Sequence, residues 1–379
     1  MNKTNISFTT KFFKKNIDAT QYEDFVLGAD VGGTTTNVAI AGLCHNKIDV
    51  LFSLDFKTKE ISSFLPALKK TLFFARNKYD IQVCRGCIGA AGIVSSDHSY
   101  VELTNASWNV DTNHLIRETE IDSLFILNDF QVLGYSINTV DVKNEKDVFI
   151  IRNLAISNAK KPRVLIGAGT GLGKTVLRYD SRNKLFHAFE SEGGHTDIPI
   201  YNDNELELVT FIRDKKHPDH PVTYEDLLSG YGLTEIYTFL RSKKVYEETK
   251  FTRKIDQADD KPILISKFRT DDSYCKETFR LFTRFFARCA KNLALDVLSA
   301  GGVFIAGGIA GKNKEIFRSD EFIDEFNRSY MRFDFLKKIP IYLLSNYYLS
   351  LKGACFAASQ MSVILNNQEM IKQHGDNKA

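Results

Sequence analysis

The sequence predicts an α/β protein of two lobes, and three observations carry that expectation. Between Phe25 and Asp129, strand-like and helix-like runs follow one another as three strands, a helix, a strand, a helix and a strand. Two turns rich in glycine and threonine, "DVGGTTT" at 30–36 and "GAGTG" at 167–171, each follow directly on an apolar strand, so one plan is used twice. The third is size: 379 residues with 43% hydrophobic content can fill two cores.

Residues 1–24 show no sustained period and read as an N-terminal arm. A small lobe is expected over 25–138. It opens with "FVLGADVGG", continues through the alternation of "TNVAIAG" and "KIDVLFSLDF", and so gives three strands joined by tight Gly and His-Asn turns. Ile61, Phe64, Leu65, Leu68, Leu72 and Ala75 then recur at helical spacing. "VCRGCIGAAGIV" reads as a strand entering a Gly/Ala turn, and "LFILNDF" as a strand ending on Asn128-Asp129. A large lobe is expected over 139–347, opening with the strand "RVLIGAG". Its longest helix should run from about Asp271 to Leu298, where Phe279, Phe282, Phe286, Cys289, Leu293 and Val297 mark a buried face. "GGVFIAGGIAG" and "IPIYLL" supply two more strands. A C-terminal helix over 348–366 completes the small lobe, and a polar tail occupies 367–379.

Composition narrows the function classes. A net charge of +3 from nearly balanced acids and bases gives no field that would gather nucleic acid. No apolar run approaches the roughly 18 residues of a membrane span, and the N-terminus lacks the apolar segment of a secretory signal, so the cytoplasm is the expected location. Six cysteines are too sparse for a disulfide framework. Cys84-Arg-Gly-Cys87 has knuckle spacing without a second pair nearby, and reads as two buried thiols.

The stretch "GAGTGLGKT", 167–175, nearly spells a nucleotide-binding P-loop. That loop requires a following helix, whose positive end holds the phosphates. Here "TVLRYDSRNKLFHAFE" follows, alternating apolar and polar residues about an Asp-Ser-Arg-Asn turn, which is a hairpin. Lys174 is therefore expected on a strand edge. A glycine-rich turn between strands still binds phosphate, because bare backbone lets successive N–H groups converge on an anion.

Seven stretches occur in this order: "GADVGGT", "LTNASW", "FILNDF", "GAGTGLG", "SEGGHTD", "EDLLSGYGL" and "GGVFIAGGI". Together, from about Phe25 to Leu365, they resemble bacterial-type glucokinases within the hexokinase–actin–Hsp70 superfamily. The resemblance implies two ribonuclease-H-like (actin-like ATPase) lobes with an interlobe cleft. It also implies transfer of phosphate from ATP to the 6-hydroxyl of glucose. Asp129 would then be the general base, with Asn105, Asn128, Glu192, His195 and Glu225 as sugar contacts. Asp30, Gly32, Gly33, Thr34, Gly169, Thr170 and Gly171 would serve the phosphates, and Gly307 and Gly308 would lie beneath the adenosine. Mg2+ is expected through ATP phosphates and water, near Asp30, with no metal site made of protein ligands alone. Glucose and ATP are the expected partners, with no nucleic acid and no membrane, and a homodimer is compatible with the resemblance.

Thr35, Asn37 and Ile93 depart from the family pattern: the first two remove a positive charge near the phosphates, and the third replaces a proline in a turn near the sugar. The reading leaves open a kinase for another hexose or an N-acylhexosamine, and a non-catalytic sugar-binding or regulatory protein. A repressor would need a DNA-binding helix pair, for which a 24-residue arm is too short.

Overall fold

The apolar runs become strands in the computed structural model, which describes residues 6–45, 47–153, 160–216 and 218–365. The chain divides into two units, residues 1–141 with 179–190 and 346–379, and residues 142–178 with 191–345. The expected polar tail, 367–379, lies outside the described residues.

In the first unit the strands are β1 (Thr9–Phe12), β2 (Asp24–Val31), β3 (Thr35–Cys44), β4 (Lys47–Lys57), β5 (Arg85–Ala90), β6 (Gly92–Val94), β7 (Tyr100–Leu103), β8 (Val110–Asp111) and β9 (Ser123–Asn128). Six of them form one sheet in the order β1-β4-β3-β2-β5-β9. β2, β3 and β4 are an antiparallel meander, and β5 and β9 run parallel to β2. Parallel neighbours need a crossover. The helix Phe64–Tyr79 supplies the one into β5, burying Phe64, Ala67, Leu68 and Ala75 in a core with Phe52 and Leu54, and it ends on Asp80 in the left-handed region. The helix Leu349–Ser359, inside the expected 348–366, lies against β2, β5 and the helix Asp129–Ser136. With helices on both faces, β2 and β9 read as continuous apolar runs. β6, β7 and β8 form a separate small antiparallel sheet that the sequence did not announce.

Residues 1–24, expected as an appended arm, contribute an edge strand: β1 pairs antiparallel with β4 from Thr9↔Asp55 to Phe12↔Phe52. Phe8 packs on Phe56, and Phe12 on Phe52. A four-residue strand is too short to show a period, which is why it was not legible.

The remaining strands are β10 (Val148–Arg152), β11 (Arg163–Ala168), β12 (Leu172–Asp180), β13 (Leu185–Phe189), β14 (Val303–Ala306) and β15 (Ile341–Leu344), ordered β10-β15-β14-β11-β12-β13. β12 is antiparallel to β11, while β14 and β15 continue parallel to it. Each large sheet thus contains five strands in the same order, β4-β3-β2-β5-β9 and β13-β12-β11-β14-β15. This is the ribonuclease-H-like plan, laid down twice. Gly173 pairs with Gly167 inside the β11–β12 ladder, so a strand stands where a P-loop needs its helix.

The longest helix is Ser273–Asp296, and the expected stripe of Phe279, Phe282, Phe286, Cys289 and Leu293 is buried. On the same helix Arg288 has no exposed surface; it binds Glu205 and Glu325 and stacks on the ring of Tyr201. All six cysteines are free; Cys87 is buried as expected, but Cys84 is exposed because it precedes β5 rather than lying within it. Among the described residues no helix is long and apolar enough to cross a membrane.

Candidate active site

The first glycine turn begins where β2 ends. Gly32 N–H donates to Thr35 O at 3.0 Å, closing a tight hairpin bend. Thr58, just beyond β4, holds the bend from the side: its N–H donates to Thr34 O at 2.9 Å and its hydroxyl to Gly32 O at 2.6 Å. The bend is therefore fixed, while Thr34 itself stays exposed. Asn105 abuts it, since a Cβ added at Gly33 would lie 2.7 Å from Asn105 Cβ.

Asp30, half-buried at the end of β2, accepts the Ser350 hydroxyl at 2.5 Å. Burial pushes its carboxyl up to about 6, the charge of Asp129 adds to the rise, and the Ser350 bond works against it. Asn128 and Asp129 sit at the junction of β9 and the helix Asp129–Ser136. Asn128 Oδ1 caps that helix, accepting from Phe130 N at 2.9 Å and Gln131 N at 3.3 Å. The cap turns the amide so that its nitrogen is left to donate. Asp129 is the first residue of the helix, where the positive end of the dipole favours a carboxylate, and its Oδ1 accepts from Phe130 N at 2.8 Å. Asn37 lies across the ladder from Asp30, buried, with no partner for Oδ1; Ile93 in β6 is 79% exposed.

In the second unit, the turn Gly169–Gly171 follows β11 and is closed by Gly169 N–H donating to Gly171 O at 2.8 Å. The Glu225 carboxylate accepts from Leu172 N at 2.8 Å, and a Cβ at Gly171 would meet it at 2.6 Å. Sequence reasoning expected Glu225 at the sugar; in the structure its carboxylate braces the turn 169–171. Gly230 N–H donates to Gly169 O at 2.9 Å from the start of the helix Gly230–Lys243, so the Ser229-Gly230 pair of "LLSGYG" buttresses the turn as well. Thr170 is exposed at the apex. Gly307 follows β14 with φ of 96°, and a Cβ there would strike Ala168 O at 2.3 Å, so this position admits only glycine. Gly308 opens a short helix over open space. Glu192 and His195 flank two glycines, with Oε2 and Nε2 3.7 Å apart.

Asp30, Gly32, Gly33, Thr34, Asn105, Asn128 and Asp129 thus belong to the first unit, and Gly169, Thr170, Gly171, Glu192, His195, Glu225, Gly307 and Gly308 to the second. Thr58 and Ser350 were not anticipated, because each bonds a site residue distant in sequence. Lys174, expected on a strand edge, is buried.

Two ribonuclease-H-like units, with glycine turns joining β2 to β3 and β11 to β12, make up the actin-like ATPase fold. Residues 27–361 match the glucokinase family over most of the chain. The chain belongs to the glucokinase family. A glucokinase from Trichormus variabilis is 28% identical over 350 residues, covering 89% of this chain and 99% of that one. Among solved structures, the glucokinase of Balamuthia mandrillaris in complex with glucose superposes with a TM-score of 0.72 at 21% identity, covering 89% of this chain and 94% of the other. A ROK family glucokinase from Streptomyces griseus, in complex with glucose and AMPPNP, gives 0.56 at 18% identity, covering 89% and 99%.

Proposed function

We propose that this kinase transfers the γ-phosphoryl group of ATP to the 6-hydroxyl of glucose, in the cytoplasm, with Asp129 as the general base. Phosphoryl transfer asks a protein mainly for positioning and charge stabilisation. Asp129 accepts the hydroxyl proton as the oxygen attacks. Asn105, Asn128, Glu192, His195 and Glu225 bind the remaining hydroxyls. The amides of 32–34 and 169–171 and the hydroxyls of Thr34 and Thr170 hold phosphate oxygens, with Gly307 and Gly308 beneath the adenosine. Mg2+, when bound, neutralises phosphate charge; Asp30 would hold it through water, and a carboxyl raised to about 6 beside a second carboxylate suits a divalent cation. The nucleotide assignment draws support from the Streptomyces griseus relative, whose bound AMPPNP is an ATP analogue.

The observation that carries the reading is the carboxylate of Asp129, held at a strand–helix junction of a glucokinase-family chain beside the helix-capping Asn128. Its test is ADP release measured with glucose, mannose, fructose and N-acetylglucosamine against ATP, ITP and polyphosphate. Glucose with ATP should give the highest kcat/KM. Asp129→Asn should lower kcat by roughly 10²–10⁴ with an unchanged circular dichroism spectrum. A variant retaining a tenth of the activity would remove Asp129 from the role of base, and turnover confined to N-acetylglucosamine would reassign the substrate.

A further inference from the structure

The lysine of "GKT" has no part in the chemistry above, yet its placement is costly. Lys174 lies on β12 with 6% of its surface exposed, and a buried ammonium is tolerated only when its protons are paired. Nζ donates to Gly193 O at 2.5 Å and to Thr196 Oγ1 at 3.4 Å, and stands 4.8 Å from the centre of the Tyr224 ring. The Cys289 thiol, pushed up to about 12 by burial, is pulled partly back by the lysine beside it.

Gly193 O is the focus of this arrangement. Besides the ammonium it accepts Thr196 Oγ1 at 2.8 Å and Thr196 N–H at 3.4 Å. The turn that carries it lies flat on β12: a Cβ at Gly194 would fall 2.3 Å from Leu172 O, and one at Gly193 would fall 2.9 Å from Lys174 Cδ. The side chains it presents are weakly held, Glu192 being 91% exposed and His195 58%. Their positions therefore follow from the backbone of the turn. The ring that faces the same ammonium belongs to the residue immediately before Glu225.

We infer that Lys174 is a positioning residue for sugar recognition: its ammonium clamps the Gly193 carbonyl and the Tyr224 ring, and so sets where Glu192, His195 and Glu225 meet the substrate. The inference rests on the proposed sugar-binding role of those three residues. It accounts for a lysine in a P-loop-like string that serves no phosphate, because the charge is spent inside the unit on the turn that reads the sugar.

The test is steady-state kinetics on Lys174→Met, Lys174→Arg and Thr196→Val, with glucose and ATP varied separately. Lys174→Met keeps the length and removes the charge; it should raise the glucose KM by about tenfold or more while kcat and the ATP KM stay within about threefold. Lys174→Arg, retaining donors and charge, should recover part of the loss. Thr196→Val, which removes one donor from the same carbonyl, should raise the glucose KM by a smaller factor, and decides the matter alone if Lys174→Met does not fold. A purely structural lysine would lower the melting temperature and leave the glucose KM untouched, and that result overturns the inference. If the unaltered protein phosphorylates no sugar, the kinase reading itself fails; if it phosphorylates glucose and the variants keep its KM, only the role of Lys174 fails.

Discussion

Asp30 carries a charge its surroundings disfavour, and that has a measurable consequence. Burial and then Asp129 lift its carboxyl from the ordinary 3.8 to about 6. A raised carboxyl holds its proton more tightly in the folded chain, so its contribution to stability is full below about pH 3.8 and is lost as pH rises through 6. Asp30→Asn mimics the protonated form. Without ligands it should therefore melt higher than the parent at pH 7.5, by up to roughly 1–3 kcal/mol, with the gain shrinking toward pH 4. Melting curves at several pH values check this, and a variant less stable at pH 7.5 would contradict it. Under the proposed role of Asp30 toward Mg2+, the same variant should phosphorylate poorly, the strain being retained for function. The positions of Asp30, Asn128 and Asp129 were legible because each lies at the end of an apolar run, Asp30 one residue before the end of β2, Asn128 last in β9 and Asp129 first in the helix that follows. The Ser350 hydroxyl on Asp30 is 320 residues away, and no local pattern encodes such a partner.

Among the elements, the helix Ser273–Asp296 shows both what periodicity reveals and what it hides. Its aromatic stripe announced a buried face, and the observed ends fall two residues inside the expected ones. Arg288 is buried on the same helix, although a charged residue in the sequence reads as solvent-facing. Its guanidinium binds Glu205 at 2.9 and 3.0 Å and Glu325 at 2.9 Å, joining the helices Asp203–Lys216 and Asp320–Asn327 to this one. Removing the cation leaves two buried carboxylates with only looser pairing, Arg284 standing 3.5 Å from Glu205 and 3.7 Å from Glu325, so Arg288→Ala should cost about 3 kcal/mol in urea unfolding. Replacing all three residues with apolar ones of similar volume should restore much of that loss; a single variant as stable as the parent would show that the pairs are not coupled to the core. β1 and the small sheet of β6, β7 and β8 escaped the sequence for a simpler reason, since strands of two to four residues are shorter than the window that reveals alternation.

On the scale of the whole molecule, one five-strand order occurs in both large sheets, and each carries one additional strand at an end, β1 in the first and β10 in the second. β1 shields the edge of β4, and an uncovered edge invites pairing with another chain. Deleting residues 1–14 should therefore produce concentration-dependent self-association in size-exclusion chromatography, whereas a monodisperse truncated protein would deny β1 that protective role. The doubled plan was partly legible because the two glycine turns share one chemistry, while strand order was not, since register between distant strands leaves no local trace. The helix Leu349–Ser359, which covers β2 and β5, has a final implication for biosynthesis. At roughly 5–20 residues per second, the ribosome takes some 10–40 s to travel from residue 141 to residue 349. Throughout that interval the nascent N-terminal sheet lacks its C-terminal cover, so a nonsense codon just ahead of this helix would leave a chain with a naked apolar surface, a ready client for chaperones and proteases.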